Sequence, residues 1–193
     1  GNTRRNPMID LPKLRKPKVM TGLPGLGKKK PQPKLTPPAL NSDEINIEAD
    51  RLSYISRLVG DKRLAEKVMI VQQRFTRATI PEAVSYVWLE ENGVNFSFQA
   101  PVMGGRSRSG GQVLDFLIDN GGTGLAWFIN GDYWHAGVGI GAQEKSTANT
   151  LVVLGQTSLG LRIEQAIMLW ENKIYSMYPT IFEMALAGIE VGK

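Results

Sequence analysis

The stretch from Gln112 to Asn130, "QVLDFLIDNGGTGLAWFIN", decides the fold. Two apolar runs, "QVLDFLID" and "GLAWFIN", lie on either side of a polar, glycine-rich segment. Short apolar runs that are bounded by Asn and Gly are typical of β-strands joined by a turn. We therefore predict an antiparallel hairpin in which residues 112–119 pair with residues 124–130.

Helical patterns precede the hairpin. Apolar residues recur at helical spacing in "SDEINIEADRLSYISRLV", and Gly60 follows this run. A second helix is predicted from Asp61 to about Phe75. A third begins at Thr79, a good N-cap residue, has Pro81 in its first turn and ends before Gly93. The next segment, "VNFSFQA", alternates as a strand with its two phenylalanines on one face.

The part of the chain after the hairpin is less clearly patterned. Residues 137–150 are predicted to be helical only near their end. We predict a further strand in "TSLGLRI" and helices in "EQAIMLW" and "PTIFEMALAGI". This order of elements predicts an α/β (α+β) fold, with a small mixed β-sheet flanked by helices.

Charge divides the chain into two parts. Residues 1–40 contain ten Lys and Arg residues and one acid, a net charge of +9, whereas the other residues contain 13 basic and 17 acidic side chains, a net charge of −4. Residues 1–40 also hold eight of the eleven prolines. Proline removes backbone donors and breaks helices, so this segment is predicted to be an extended basic arm.

The sequence therefore predicts an arm over residues 1–41, a helical appendage over 42–78 and an α/β domain over 79–193. Cysteine is absent, which excludes disulfides and thiolate metal sites. We expect no transmembrane segment, because no apolar run reaches about 20 residues. We expect no secretory signal, because the first residues are polar and basic. The arm segment "GLPGLGKK" lacks the Ser or Thr of a phosphate-binding loop and the strand that precedes one.

Two residues of the hairpin region suggest chemistry. His135, the single histidine, lies in "GDYWHAG", just past the end of the second strand. It can act as a general base or be a structural imidazole bonded to a backbone carbonyl. Asp115 lies between Leu114 and Phe116 in a strand. A carboxylate in an apolar strand needs a metal, an arginine or contact with water.

The segments "PEAVSYVWLEENGVNFSFQAPV", "VLDFLID", "LAWFINGDYWHAG" and "SLGLRIEQAI" together resemble the PD-(D/E)XK nuclease superfamily. The similarity covers about residues 79–170. It is closest to the branch of very-short-patch repair endonucleases, and the aromatic-Trp-His segment is its most specific part. The resemblance implies a restriction-endonuclease-like fold.

The resemblance also implies roles for individual residues. Asp115 matches the metal-binding aspartate of the hairpin, and His135 matches the histidine that positions or activates the attacking water. Glu82 falls where the family has an acid on a helix. Trp134 matches an aromatic residue that packs into the base stack.

One departure from the family pattern affects catalysis. Most of the superfamily has an acid and a lysine, separated by one residue, on the second hairpin strand. Phe128 and Asn130 occupy these positions here. The repair branch uses a backbone carbonyl instead, which Ile129 can supply. The resemblance therefore implies a degenerate active site in which Asp115 is the one carboxylate that binds the metal.

Basic residues suggest contacts with nucleic acid. Arg106 and Arg108 lie in the glycine-rich loop before the hairpin, and Lys28, Lys29 and Lys30 form a run in the arm. Phosphate groups attract such residues, and Trp134 can add base stacking. An acidic protein surface or a neighbouring subunit attracts the arm equally well.

These patterns favour a non-catalytic or weakly catalytic, nuclease-like structural protein in a larger nucleoprotein assembly. The capsid, neck or tail of a tailed phage is such a setting, so we expect a cytoplasmic or virion protein that contacts other subunits through its arm and also contacts DNA. No cofactor is then needed. The alternative is an active endonuclease that nicks or repairs DNA with Mg²⁺, and a third interpretation is a plain DNA-binding module.

Overall fold

The computed structural model describes residues 42–107, 111–131 and 140–192. The described residues form six α-helices and five β-strands. The helices are α1 (Ser42–Val59), α2 (Lys62–Arg74), α3 (Ile80–Glu91), α4 (Ile140–Val153), α5 (Glu171–Ser176) and α6 (Thr180–Leu186). The strands are β1 (Phe96–Val102), β2 (Gln112–Asp119), β3 (Gly124–Asn130), β4 (Thr157–Ser158) and β5 (Leu161–Trp170).

The five strands form one mixed sheet in the order β1-β2-β3-β5-β4. β1, β2 and β3 are antiparallel neighbours, and β5 is parallel to β3. The predicted hairpin is confirmed, since β2 and β3 have the predicted bounds and their pairing begins at Asp119 and Gly124. The predicted fold class, a mixed sheet flanked by helices, is confirmed as well.

Local capping signals define the helices before the sheet. The Asp61 side chain accepts hydrogen bonds from the N–H groups of Arg63 and Leu64 at the start of α2. Thr79 and Glu82 form a reciprocal capping box at the start of α3. Gly60, at φ 71°, follows α1. The three helices predicted in this region are confirmed.

The larger core cluster lies between one face of the sheet and helices α1, α2, α3, α5 and α6. At its centre the rings of Trp88, Phe182 and Trp127 stack, with centroid separations of 5.1 and 5.9 Å. Phe96 and Phe98 pack on this cluster together, as predicted. A smaller second cluster includes Leu151 of α4 and sheet residues such as Ala126 and Ile163.

The residues expected to form a helical appendage, 42–78, contribute to the main core. Ile55, Leu64 and Val68 belong to the same cluster as Trp127 of the central strand. Residues 40–193 form one compact unit. Helices α1 and α2 are therefore a packed layer of this unit.

The prediction for residues 157–170 is wrong in two respects. The segment "EQAIMLW", predicted as a helix, is part of strand β5, and "TSLGLRI" is split by a turn at Leu159 and Gly160. Ile167, Met168 and Leu169 are all buried, because β5 is parallel to β3 and covered on both faces. A short run that is apolar on both faces has no period-two signal, so it resembles a buried helix.

At the end of the chain, α6 lies within the predicted helix, whereas α5 was not predicted. Helix α4 extends through the segment predicted to be partly helical. No described helix is both long and apolar enough to cross a bilayer.

Integration of the first helices can be tested with a pair of isoleucines on α1. Ile55 is fully buried and Ile47 is 67% exposed. We expect Ile55→Ala to lower the free energy of unfolding by about 2–5 kcal/mol, because it leaves a cavity in the shared core. Ile47→Ala should change it by less than about 0.5 kcal/mol. Urea unfolding followed by circular dichroism and by tryptophan fluorescence measures both, and separate transitions for the two probes would contradict a shared core.

The Tyr178 phenol makes the free energy of unfolding depend on pH in the alkaline range. Burial raises the pKa of its phenol above the ordinary 10.0, and the carboxylates of Glu91 and Asp61 raise that pKa further. Because the fold favours the neutral phenol, its contribution to stability is present below about pH 10 and is lost as the pH rises further. Tyr178→Phe should therefore make the unfolding free energy less dependent on pH between about pH 9 and 11. An unchanged dependence in urea titrations would contradict this.

Candidate functional site

Several polar residues lie at one end of the sheet. Strands β1, β3 and β5 run in the same direction and end there, and β2 begins there, since Val102 pairs with Gln112 and Asn130 with Trp170. We name this end the carboxyl edge. In open α/β sheets, ligands bind outside the carboxyl ends of the strands. The carboxyl edge is therefore the candidate site.

Asp115 lies where the pairing of β2 with β3 ends. The ladder runs from Asp119 and Gly124 to Phe116 and Trp127. Beyond it, the Ile129 N–H donates a hydrogen bond of 2.7 Å to Asp115 Oδ2. A side-chain carboxylate thus replaces the main-chain carbonyl that would continue the ladder. We name this arrangement, Asp115 with Ile129, the fork.

The strand on the other side of Asp115 is distorted. Phe98 pairs with Phe116 and Ala100 pairs with Leu114, but the ladder skips Gln99, which faces Asp115. Gln99 has φ 53°, a left-handed conformation that costs a non-glycine residue on the order of 1–3 kcal/mol. Such strain accumulates at functional sites. No glycine or turn signal marks this position, so sequence reasoning missed it.

Buried amide groups without partners lie on both strands near the fork. Asn130, at the end of β3, is 2% exposed, and its Nδ2 has no hydrogen-bond partner within the described part of the chain. Gln112 Oε1, at the start of β2, is likewise buried and unpaired there. Each costs about 1–3 kcal/mol in lost hydration. Sequence reasoning considered Asn130 only as the replacement for a lysine and did not identify Gln112.

Glu82 lies at the start of α3 and stabilises that helix. Its Oε2 accepts hydrogen bonds from the Thr79 backbone N–H at 2.6 Å and from the Thr79 hydroxyl at 2.9 Å. This carboxylate therefore closes the capping box at the start of α3. No described hydrogen bond or ion pair joins Glu82 to Asp115.

Arg106 lies in the loop between β1 and β2, at the carboxyl edge. It is exposed, within a short 3-10 turn over Gly105–Ser107. The loop closes tightly, because a Cβ on Gly111 would lie 2.0 Å from the carbonyl oxygen of Gly105. The guanidinium makes no ion pair with the rest of the described chain, so it can meet an external anion.

The remaining predicted site residues lie outside the described residues: His135, Trp134, Arg108, Lys28, Lys29 and Lys30. The convergence of Asp115 with His135 stays a prediction. Asp119, at the other end of the hairpin, accepts a hydrogen bond from the Gly122 N–H and so has the turn role that its sequence context indicates.

The described residues supply few oxygen ligands for a divalent cation. Mg²⁺ prefers six oxygens in octahedral geometry, usually from one or two carboxylates and several waters. Asp115 brings one carboxylate to the fork, and its Oδ2 already accepts the Ile129 N–H. Among residues 42–107, 111–131 and 140–192, no group of three His, Cys, Asp or Glu side chains is arranged to hold a metal.

Comparison with known proteins returned no match: no family model fits the sequence, and neither a curated protein nor a solved structure is similar to the chain. The resemblance to PD-(D/E)XK nucleases stays a prediction. The candidate site is therefore defined by its own geometry.

The fork can be tested through stability. Asp115→Ala leaves the Ile129 N–H without its acceptor, so we expect the free energy of unfolding to fall by about 1–3 kcal/mol. Asp115→Asn keeps an acceptor oxygen and should cost less. The exposed Asp50 provides the control, and Asp50→Ala should change stability by less than about 0.5 kcal/mol. Equal effects of Asp115→Ala and Asp50→Ala in urea unfolding would contradict a structural role for the Asp115 carboxylate.

Proposed function

We propose that this chain is a non-catalytic or weakly catalytic, nuclease-like structural component of a larger nucleoprotein assembly, such as a tailed-phage particle. Its basic arm anchors it to neighbouring subunits, and DNA is a further contact. The observation that carries the proposal is the hydrogen bond between Asp115 and the Ile129 N–H.

That hydrogen bond gives the expected catalytic carboxylate a structural task. A carboxylate that accepts a backbone N–H in a half-buried site is held by a charge-assisted hydrogen bond. Glu82, the second expected acid, is held by Thr79 in the same manner. Both acids thus stabilise backbone that would otherwise lack partners. Their presence in the sequence is explained without catalysis.

The arm supports an anchoring role. Forty extended residues span up to about 130 Å. These residues carry a net charge of +9, whereas the other residues carry a net charge of −4. An arm of this kind covers much surface without needing a core of its own. The same charge attracts DNA phosphates, so the anchoring and DNA contacts are compatible.

The alternative, a Mg²⁺-dependent endonuclease, is favoured by the strain at the carboxyl edge. The backbone strain at Gln99 and the unpaired buried amide of Asn130 both lower the stability of the fold near Asp115. Proteins tolerate such losses of stability at active sites. The order α3, β1, β2, β3, α4, β5 is also the order that the resemblance implies. In this alternative Asp115 would hold the cation and His135 would position the attacking water, and a bound cation would lower the pKa of that water.

A plasmid assay separates the two functions. We expect no nicking of supercoiled DNA by the full chain with Mg²⁺ or Mn²⁺. Nicking that persists in Asp50→Ala and disappears in Asp115→Asn would establish the endonuclease instead. The Asn variant is the sharper test, because it keeps the acceptor for Ile129 while removing the charge that a metal needs.

The salt dependence of DNA binding tests the contribution of the arm. Replacing Lys28, Lys29 and Lys30 by Gln in the full chain should make the slope of log K against log salt shallower by about 2.7, at about 0.9 per phosphate contact. The control replaces Arg57, Lys62 and Arg63, which are exposed on α1 and α2, and we expect a smaller change. A larger change in the control would assign DNA contact to the helices, and no change in either would remove DNA from the proposal.

A further inference from the structure

We propose that the end of α4 and the turn between β4 and β5 form a docking site for the basic arm of a neighbouring copy of this chain. The residues are Val153, Leu154 and Leu159, which we name the apolar corner. The inference rests on the proposed function, since it assigns the surface that the arm engages.

The apolar corner carries the most exposed large hydrophobic side chain among the described residues. Val153 is 82% exposed, Leu154 59% and Leu159 62%, and seven residues of chain contain all three. Scattered exposed apolar residues are ordinary, whereas three within one short stretch of chain offer apolar surface that a partner can cover.

Leu159 adds an independent observation. Its φ is 49°, in the left-handed region that leucine rarely adopts, and Gly160 follows at φ 85°. A leucine at this φ strains the backbone and so lowers the stability of the fold. Burial of its side chain does not offset that loss, because the side chain is mostly exposed. Glycine or asparagine would form this turn at lower cost. The leucine is explained if its side chain is buried by a partner.

A cavity of about 220 Å³ lies beside Leu159. Its walls include the apolar residues Phe96, Leu117 and Leu161, together with the Asp119 carboxylate. Asn95 and Ser97 complete the lining, so the cavity has apolar and polar walls. An aliphatic side chain that has a lysine or arginine nearby fits such a lining.

The arm carries that combination repeatedly. Leu14 follows Lys13, Leu35 follows Lys34, and Leu26 lies two residues before Lys28. The arm therefore offers leucine side chains to the apolar walls and lysine side chains to the Asp119 carboxylate.

The size of the surface also favours a linear segment over a globular partner. Three side chains expose a few hundred Å² of apolar surface, whereas a stable interface between folded partners buries about 800 Å² on each. An extended segment needs only a few anchor positions. If fully extended, the 41 residues before α1 would span up to about 135 Å.

Self-association of the full chain tests the proposal. We expect Leu159→Gly to weaken association roughly tenfold or more, because an anchor contact is lost. The same change should raise the melting temperature of the unassociated chain, because glycine removes the strain at this φ. Ile47→Ser and Ile70→Ser alter equally exposed side chains on α1 and α2 and should leave association unchanged. Association that is unaffected by Leu159→Gly, or a wild-type chain that stays monomeric, would overturn the inference.

A disulfide trap identifies the occupant, since the natural chain has no cysteine. One population carries Leu159→Cys and the other Leu26→Cys, and mild oxidation of the mixture should yield the mixed dimer. A Tyr54→Cys population replaces the first as the control, because Tyr54 is exposed on α1. Efficient trapping at Tyr54 but not at Leu159 would overturn the proposed site.

A final comparison separates this inference from the proposed function. Replacing Leu14, Leu26 and Leu35 by Ser should weaken association as Leu159→Gly does. If these arm changes act and the corner changes do not, the arm docks elsewhere and only this inference fails. If neither acts, the arm is not the anchor and the proposed function fails as well.

Discussion

The central strand β3 is the constraint on which the structure depends. It is hydrogen-bonded to β2 on one side and to β5 on the other, and most of its residues are buried. Because this strand is hydrogen-bonded along both edges and buried on both faces, the sheet needs a layer of packed side chains on each side. The stack of Trp127 with Phe182 and Trp88 supplies one layer, and α4 supplies the other. The helices at the start of the chain join the first layer.

The candidate site lies where β3 loses one of these partners. At the fork the neighbouring strand no longer offers a carbonyl, and the Asp115 carboxylate takes its place. The strain at Gln99 and the unpaired amides of Asn130 and Gln112 lie around the same point. Both features lower the stability of the fold at the carboxyl edge, and this is why both functional interpretations place the site there. The hydrogen bonds of Asp115 and Glu82 favour the structural one.

Much of the fold could be predicted because its signals are local. Asp61 and Thr79 cap their helices through hydrogen bonds to residues two or three positions away, so sequence alone reveals these helix starts. The hairpin is equally local, since four residues separate its strands. The "EQAIMLW" segment was misassigned because its neighbour β3 lies more than thirty residues earlier in the chain. The identity of Asp115 as a notable residue was predictable, whereas its acceptance of the Ile129 N–H was not.

The sequence by itself determined the hairpin, the capped helices and the separation of a basic, proline-rich arm from a mildly acidic remainder, because each depends on composition or on contacts within a few residues. Only the tertiary structure decided that residues 164–170 are a strand, that α1 and α2 complete the main core and that Gln99 is strained. It also decided which polar atoms became buried without partners. These outcomes depend on which distant segments come to lie side by side, and the energies of such contacts are not encoded in any short stretch of chain.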